Sequence, residues 1–186
     1  MSGSAPRTDG DSALVIEVPE AEPVVGSLRL RHDPPAAHGV AAHVTILYPF
    51  VPRCEIDAPV RADLASVFSP IPAFAYRFER VVRLGPTTVV LDPDPAEPFR
   101  ELTDAVHRRW PEHPPYGGVF DVVIPHLTVG DQIRTEFADD LEAATRGALE
   151  ANGPVAGRAT SVSLIVMDGD GEWSTDNTYP LGAQAR

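Results

Sequence analysis

The sequence predicts an α+β protein with approximate internal duplication, on three observations. Short apolar runs that read as strands alternate with amphipathic stretches that read as helices, and a helix-and-hairpin pattern occurs in each half of the chain. Each half also holds one strand-like run in which a His, an apolar residue and a Thr follow one another, His43-Val44-Thr45 and His126-Leu127-Thr128. The tally is about seven strands and four helices.

Taken in order, Met1 to Asp11 is rich in Ser, Gly, Pro and Asp, so a disordered tail over 1–11 is expected, followed by a single domain over 12–182. Ser12 to Val18 reads as a strand. Glu20 to Arg31 reads as a helix with Pro23 near its first turn, setting Val24, Val25, Leu28 and Leu30 against Glu22, Arg29 and Arg31. Asp33 to Gly39 breaks it and forms a loop. The first motif strand, His43 to Phe50, follows. Asp57 is placed to cap a helix through about Val67, with Val60, Leu64 and Val67 on one face. Phe74 to Leu84 alternates as a strand with one wet face, Gly85-Pro86 turns the chain, and Thr87 to Leu91 returns as its hairpin partner. Asp92-Pro93-Asp94-Pro95 is expected to end that hairpin.

Glu97 to Trp110 is the strongest helix, with Phe99, Leu102, Ala105, Val106 and Trp110 in one stripe. A loop over Pro111 to Gly118 leads to Val119 to Val129, which reads as a strand and carries the second motif. Thr135 or Glu136 to Ala151 is a helix ended by Asn152-Gly153-Pro154. Ala159 to Met167, the turn Asp168-Gly169-Asp170-Gly171, and Glu172 to Tyr179 close the chain as a hairpin.

Composition narrows the function. The chain has 186 residues, and 43% of them are hydrophobic, enough for one domain with a sizeable core. No apolar run approaches the roughly eighteen residues of a membrane span, and no leader opens the chain, so a cytoplasmic location without a membrane partner is expected. Cys54 stands alone, which excludes an internal disulfide and fits a reducing compartment. All fifteen basic residues are Arg. The lack of Lys removes a P-loop lysine, a Schiff-base lysine and the lysine nucleophile of nucleotidyl-transferring ligases. A net charge of −12 weighs against binding a long duplex, whose recognition rests on phosphate neutralisation. A small nucleotide or an RNA end is the expected partner.

In an extended strand His43 and Thr45 share one face while Val44 and Ile46 take the other. His126 and Thr128 repeat the arrangement. An imidazole beside a hydroxyl offers a proton donor or acceptor and a group that hydrogen-bonds an anionic oxygen, so two facing pairs would grip a phosphate from both sides. One His-x-Thr alone is a weak signal. The matched pair, with Pro49-Phe50 closing the first copy and Pro125 opening the second, resembles the two-histidine phosphoesterase superfamily, most closely its 2′-5′ RNA ligase-like, RNA 2′,3′-cyclic phosphodiesterase branch. The resemblance runs from about Leu14 to about Leu181 in the order of strands and helices.

The resemblance implies a two-lobed fold, each lobe an antiparallel sheet with helices outside, and an active cleft between the lobes. It also implies an enzyme that opens 2′,3′-cyclic phosphates without a cofactor or metal, with a possible ligation direction. His43 would protonate the leaving oxygen and His126 would activate water, while Thr45 and Thr128 would bind the phosphate oxygens; from sequence alone the order of the histidines could be reversed. A monomer is expected. The substrate stays open between an RNA terminus, a mononucleotide and another cyclic nucleotide. A non-catalytic module that holds a nucleotide or RNA end in the same cleft is the alternative, although binding alone does not require two titratable groups.

Rival sites are weaker. A metal on His43 and His126 with Asp121 or Asp131 lacks a ligand spacing. Asp168 to Gly171 lacks the helices and closing Glu of a calcium loop, and no Gly-x-Ser-x-Gly elbow occurs. His32, His38, His107 and His113 read as bystanders. Tyr48 should pack on the strand face opposite His43. Arg53 and Arg134 follow the two motifs but read as surface salt-bridge residues. Tyr116 and Trp173 are candidates for base stacking by loop position only.

Overall fold

In the computed structural model, which describes residues 10–120 and 122–182, eight strands form one curled antiparallel sheet in the order β6-β3-β4-β5-β2-β1-β7-β8. The strands are β1 Ser12–Glu17, β2 His43–Leu47, β3 Phe74–Arg83, β4 Val89–Asp94, β5 Leu127–Gly130, β6 Val155–Ala159, β7 Ser161–Met167 and β8 Trp173–Pro180. The helices are α1 Glu22–His32, the single turn α2 Pro34–Ala37, α3 Ala58–Phe68, α4 Glu97–Arg109 and α5 Thr135–Asn152. The expected α+β class and antiparallel sheets with outer helices are present. The two half-sheets are joined along a seam where β2 meets β5.

The half-sheets are not the two halves of the chain. β7 and β8 come from the C-terminal end but complete the sheet begun by β1 and β2. The curl brings Gly182, just past β8, within hydrogen-bonding distance of the start of β3, with Ala73 N–H donating to its carbonyl at 3.0 Å. At the seam the helices are exchanged: α1, which links β1 to β2, packs on β5, whereas α4, which links β4 to β5, packs on β2. The core lies between helices and sheet, with Val44, Leu127, Phe99, Leu102 and Val106 all fully buried in it.

Several elements depart from the sequence reading. The run Val119 to Val129 is a strand only from Leu127; Val119, Phe120, Val122 and Ile124 are exposed. Tyr116 and Gly117 take positive φ just before it and Pro125 has no N–H; among the described residues no strand pairs with the segment before Leu127, and its β propensity goes unused there. The run Ala159 to Met167 is two strands broken at Thr160: β6 pairs with β3, β7 with β1 and β8. β4 continues through Asp92-Pro93-Asp94. Pro93 is tolerated there because β5 pairs only with Val89 to Leu91, leaving no partner waiting for a Pro93 N–H. Pro34 to Ala37 forms a helical turn within the expected loop. Of the expected tail, residues 1–9 lie outside the described residues. Gly10 and Asp11 are anchored, with the Asp11 carbonyl accepting from Met167 N–H at 2.9 Å.

On α1 the apolar stripe is turned from the expected one: Leu30 is 66% exposed, whereas Arg29 is 1% exposed. Asp57 caps α3 as expected, accepting from Val60 N–H at 2.9 Å. Among the described residues no helix is long and apolar enough to cross a membrane.

Phe99 is fully buried and meets Phe74 edge-on at 4.9 Å. Phe99→Ala is expected to lower the unfolding free energy by about 3–5 kcal/mol in urea titrations. Phe137→Ala, at a side chain 47% exposed, should shift it by no more than about 0.5 kcal/mol.

Candidate active site

β2 and β5 pair antiparallel with Val44 opposite Leu127. Both side chains enter the core under the helices, so the same register sets His43 beside Thr128 and Thr45 beside His126 on the other face. Opposite residues in such a ladder stand about 4.5–5.5 Å apart at Cα. The four motif residues thus form a square, with each imidazole diagonal to the other and flanked by a hydroxyl on its own strand and one across the seam. All four are half-buried.

The two histidines are held in the same way. His43 Nδ1 lies 2.8 Å from the Ala41 carbonyl and His126 Nδ1 2.7 Å from the Ile124 carbonyl, in each case two residues back along the chain. A carbonyl only accepts, so Nδ1 carries the proton and donates. In the neutral ring Nε2 keeps a bare lone pair. Each histidine can therefore take a proton at Nε2 or, once charged, give one from it.

Burial pushes His43 down to about 4; the Ala41 carbonyl opposes this, while the Arg29 guanidinium and His126 add to it. Burial also lowers His126, against the Ile124 carbonyl and the Asp131 carboxylate, which both raise it. Both rings are neutral at pH 7. Tyr116, carried by the turn before the second motif, brings its hydroxyl to Thr45; burial raises its pKa and the contact with Thr45 lowers it. The phenol is therefore a neutral donor at the edge of the square.

Arg29 ties the square to the scaffold. Its Nε donates to the Thr128 carbonyl at 3.1 Å, Nη2 to Asp33 at 2.8 Å and to the Val40 carbonyl at 3.2 Å, and Nη1 to Glu22 at 3.4 Å. Glu22 in turn accepts from Ala42 N–H at 2.6 Å, next to His43. One guanidinium thus joins the second motif strand to the entry of the first. On the other side of the seam, the buried Thr103 hydroxyl of α4 donates to the Ile46 carbonyl of β2 at 2.8 Å. Sequence reasoning placed Arg29 on the wet side of its helix. The spacing Glu22, Val25, Arg29, with Asp33 four residues further on, is the signal that could have found it.

Other residues fall as follows. Trp173 opens β8 and lines a pocket that His43 also lines. Tyr48 packs as expected, but β2 ends at Leu47 and the chain bends, so it joins Val15 and Trp173 on the side of the sheet that carries His43. Its hydroxyl donates to Asp11 at 2.9 Å. Arg134 pairs with Glu136 and lies over the Phe137 ring, and Arg53 is exposed. His38 meets Glu172, and His113 lies against Phe50. Asp131 accepts from the Thr88 hydroxyl at 2.7 Å. Asp121 lies outside the described residues. Among the described residues no three His, Cys, Asp or Glu side chains gather as a metal site.

Arg29→Met should lower stability by about 3–5 kcal/mol, because Asp33, with a side chain 2% exposed, is left as a buried unpaired charge. It should also raise the His43 pKa, read by NMR titration. Because both imidazoles titrate below the ordinary value of about 6.5, the unfolded chain binds their protons first as pH falls. Their contribution to stability is complete above that pH and declines as pH drops toward about 4, where His43 protonates in the folded chain. Between pH 7 and 5 the wild type should thus lose more stability than a His43→Gln, His126→Gln double variant in denaturant titrations.

Residues 17–171 match the family model described as the 2′-5′ RNA ligase superfamily. Among solved structures, Escherichia coli LigT in apo form aligns with a TM-score of 0.60 at 16% identity, over 95% of this chain and 99% of that one. LigT complexed with 3′-AMP aligns at 0.59 and 16%, over 94% and 99%. The TT0787 protein of Thermus thermophilus aligns at 0.59 and 14%, over 94% and 100%. At these identities the likeness is one of fold. No curated protein sequence matches. With the motif pair on adjoining strands of a LigT-like sheet, and the family model spanning most of its length, the chain belongs to the 2′-5′ RNA ligase superfamily of two-histidine phosphoesterases.

Proposed function

We propose that the protein is a cyclic phosphodiesterase that opens 2′,3′-cyclic phosphates at RNA ends or on nucleotides without a metal. The observation that carries this reading is the diagonal pair of imidazoles, each held through Nδ1 and with no hydrogen-bond partner at Nε2 among the described residues, and each flanked by threonine hydroxyls. A strained cyclic phosphate needs an aimed water, a base, an acid and donors for its charged oxygens, and the square has a group for each need. The existence of LigT structures complexed with 3′-AMP and NADP+ supports a nucleotide ligand.

In the reaction, Thr45 and Thr128 donate to the non-bridging oxygens and Tyr116 assists beside Thr45. His126 Nε2 takes a proton from water as the water oxygen bonds to phosphorus. The bond from phosphorus to the 3′-oxygen breaks, and His43, charged at Nε2, gives that oxygen its proton. The product keeps a 2′-phosphate. His126 has gained a proton and His43 has lost one, and exchange with solvent restores both. Burial and Arg29 make charged His43 a strong acid. The phosphate's negative charge supplies the field that lets His43 hold the proton before transfer.

With chelator present, His43→Ala and His126→Ala should each lower kcat on a 2′,3′-cyclic nucleotide and on a short RNA ending in a cyclic phosphate by at least about 10²-fold. The pH-rate profile of the wild type should be bell-shaped, its limbs belonging to the coupled pair. Loss of wild-type activity in chelator, or full activity in either variant, would overturn the mechanism. Nucleotide binding without turnover would make the chain a binding module.

A further inference from the structure

We propose that the pocket beside His43 receives the substrate's base and selects guanine through the Glu17 carboxylate. This rests on the cyclic phosphodiesterase reading. Glu17 ends β1 directly opposite His43, so the two side chains leave the same face of the sheet. Both line one pocket, whose floor is Val15, Val40 and Ile165 and whose wall is Trp173. No Arg lines it. Such a slot suits a flat, uncharged ring and not a second phosphate.

Glu17 is exposed and, among the described residues, makes no ion pair or side-chain hydrogen bond. Other carboxylates of the surrounding elements are engaged: Glu22 and Asp33 with Arg29, Asp131 with Thr88, and Glu172 with His38. A carboxylate one strand away from a phosphate site repels the anion, so its place there is explained by a ligand that brings N–H donors to it. In a 2′,3′-cyclic phosphate both ribose hydroxyls are tied up in the phosphate ring. The 5′-hydroxyl of a free nucleotide offers one donor, the same for all four bases, so a matched pair of donors, and any selection among bases, must come from the base. Guanine alone presents two N–H groups side by side, from N1 and the 2-amino group, which match the two carboxylate oxygens. Adenine and cytosine place an amino group beside a ring nitrogen that accepts, and uracil flanks its single N–H with two carbonyls.

The walls are set before a ligand arrives. The Trp173 backbone N–H donates to the His38 carbonyl at 2.9 Å, and the Tyr48 ring meets the indole edge-on at 6.2 Å. Gly39 has a φ of +86°, and a Cβ there would lie 3.1 Å from the Trp173 carbonyl, so the loop closes on the wall only with glycine.

The test is kcat/KM for the 2′,3′-cyclic phosphates of guanosine, adenosine, cytidine and uridine, with wild type, Glu17→Gln and Trp173→Ala. The guanosine substrate should lead by roughly tenfold. Glu17→Gln should bring it level with the uridine substrate, chiefly through KM, and Trp173→Ala should raise KM for all four. Equal rates on the four bases in the wild type, or a guanine preference that survives Glu17→Gln, would overturn the proposal. Absence of turnover on every base would refute the phosphodiesterase reading instead. Calorimetric binding of guanosine and uridine 2′-monophosphates to wild type and Glu17→Gln then decides the pocket: a guanosine preference abolished in the variant supports it, and equal affinities overturn it.

Discussion

The site depends on a thin seam. β2 and β5 bring the two motifs together through one matched pair, Val44 with Leu127, and β5 is only four residues long. Such a short ladder would not hold four side chains in register by itself. The helices exchanged across the seam supply the rest, Arg29 of α1 gripping the Thr128 carbonyl and Thr103 of α4 gripping the Ile46 carbonyl. Burying a guanidinium costs several kcal/mol unless its charge and donors are matched. Here Asp33, Glu22 and two carbonyls match them, and Glu22 passes the constraint on to Ala42 beside His43.

The proposed phosphate site carries no cationic side chain at its surface, in keeping with a chain of net charge −12. The square holds neutral imidazoles and hydroxyls. Arg29 lies beneath it with its donors turned to protein oxygens, so it acts on His43 through its field and not by contact. Burial lowers both histidines, and the charge of a phosphate in the proposed site would oppose that shift, so its binding and protonation of a ring would favour each other. Several other arginines pair with carboxylates nearer the surface, as Arg83 does with Asp139 and Glu142, and Arg61 with Asp176. Exposed pairs of this kind add little stability.

Much of the secondary structure was legible because its signals are local. Asp57 capping α3, the stripe from Phe99 to Val106 on α4 and the alternation of β3 all appear where the pattern placed them. The misplacements share a cause. The described residues between Val119 and Ile124 are strand-like but pair with no described strand, Thr160 divides an apolar run because its two parts serve opposite half-sheets, and Leu30 faces out because Arg29 has a buried partner in Asp33. In each case a contact distant in sequence, or the lack of one, outweighed propensity.

The sequence by itself determined that His43 and Thr45, and again His126 and Thr128, share a strand face, because side-chain alternation with a period of two is a property of the local backbone. It also determined which chemistry was available, imidazoles and hydroxyls with no lysine. Only the tertiary structure decided that β2 lies against β5, that Arg29 sits beneath Thr128, and that Glu17 and Trp173 meet His43 at one pocket. Those neighbours are separated by many residues along the chain, and their meeting is set by how the sheet curls and where the helices pack, which no local period encodes.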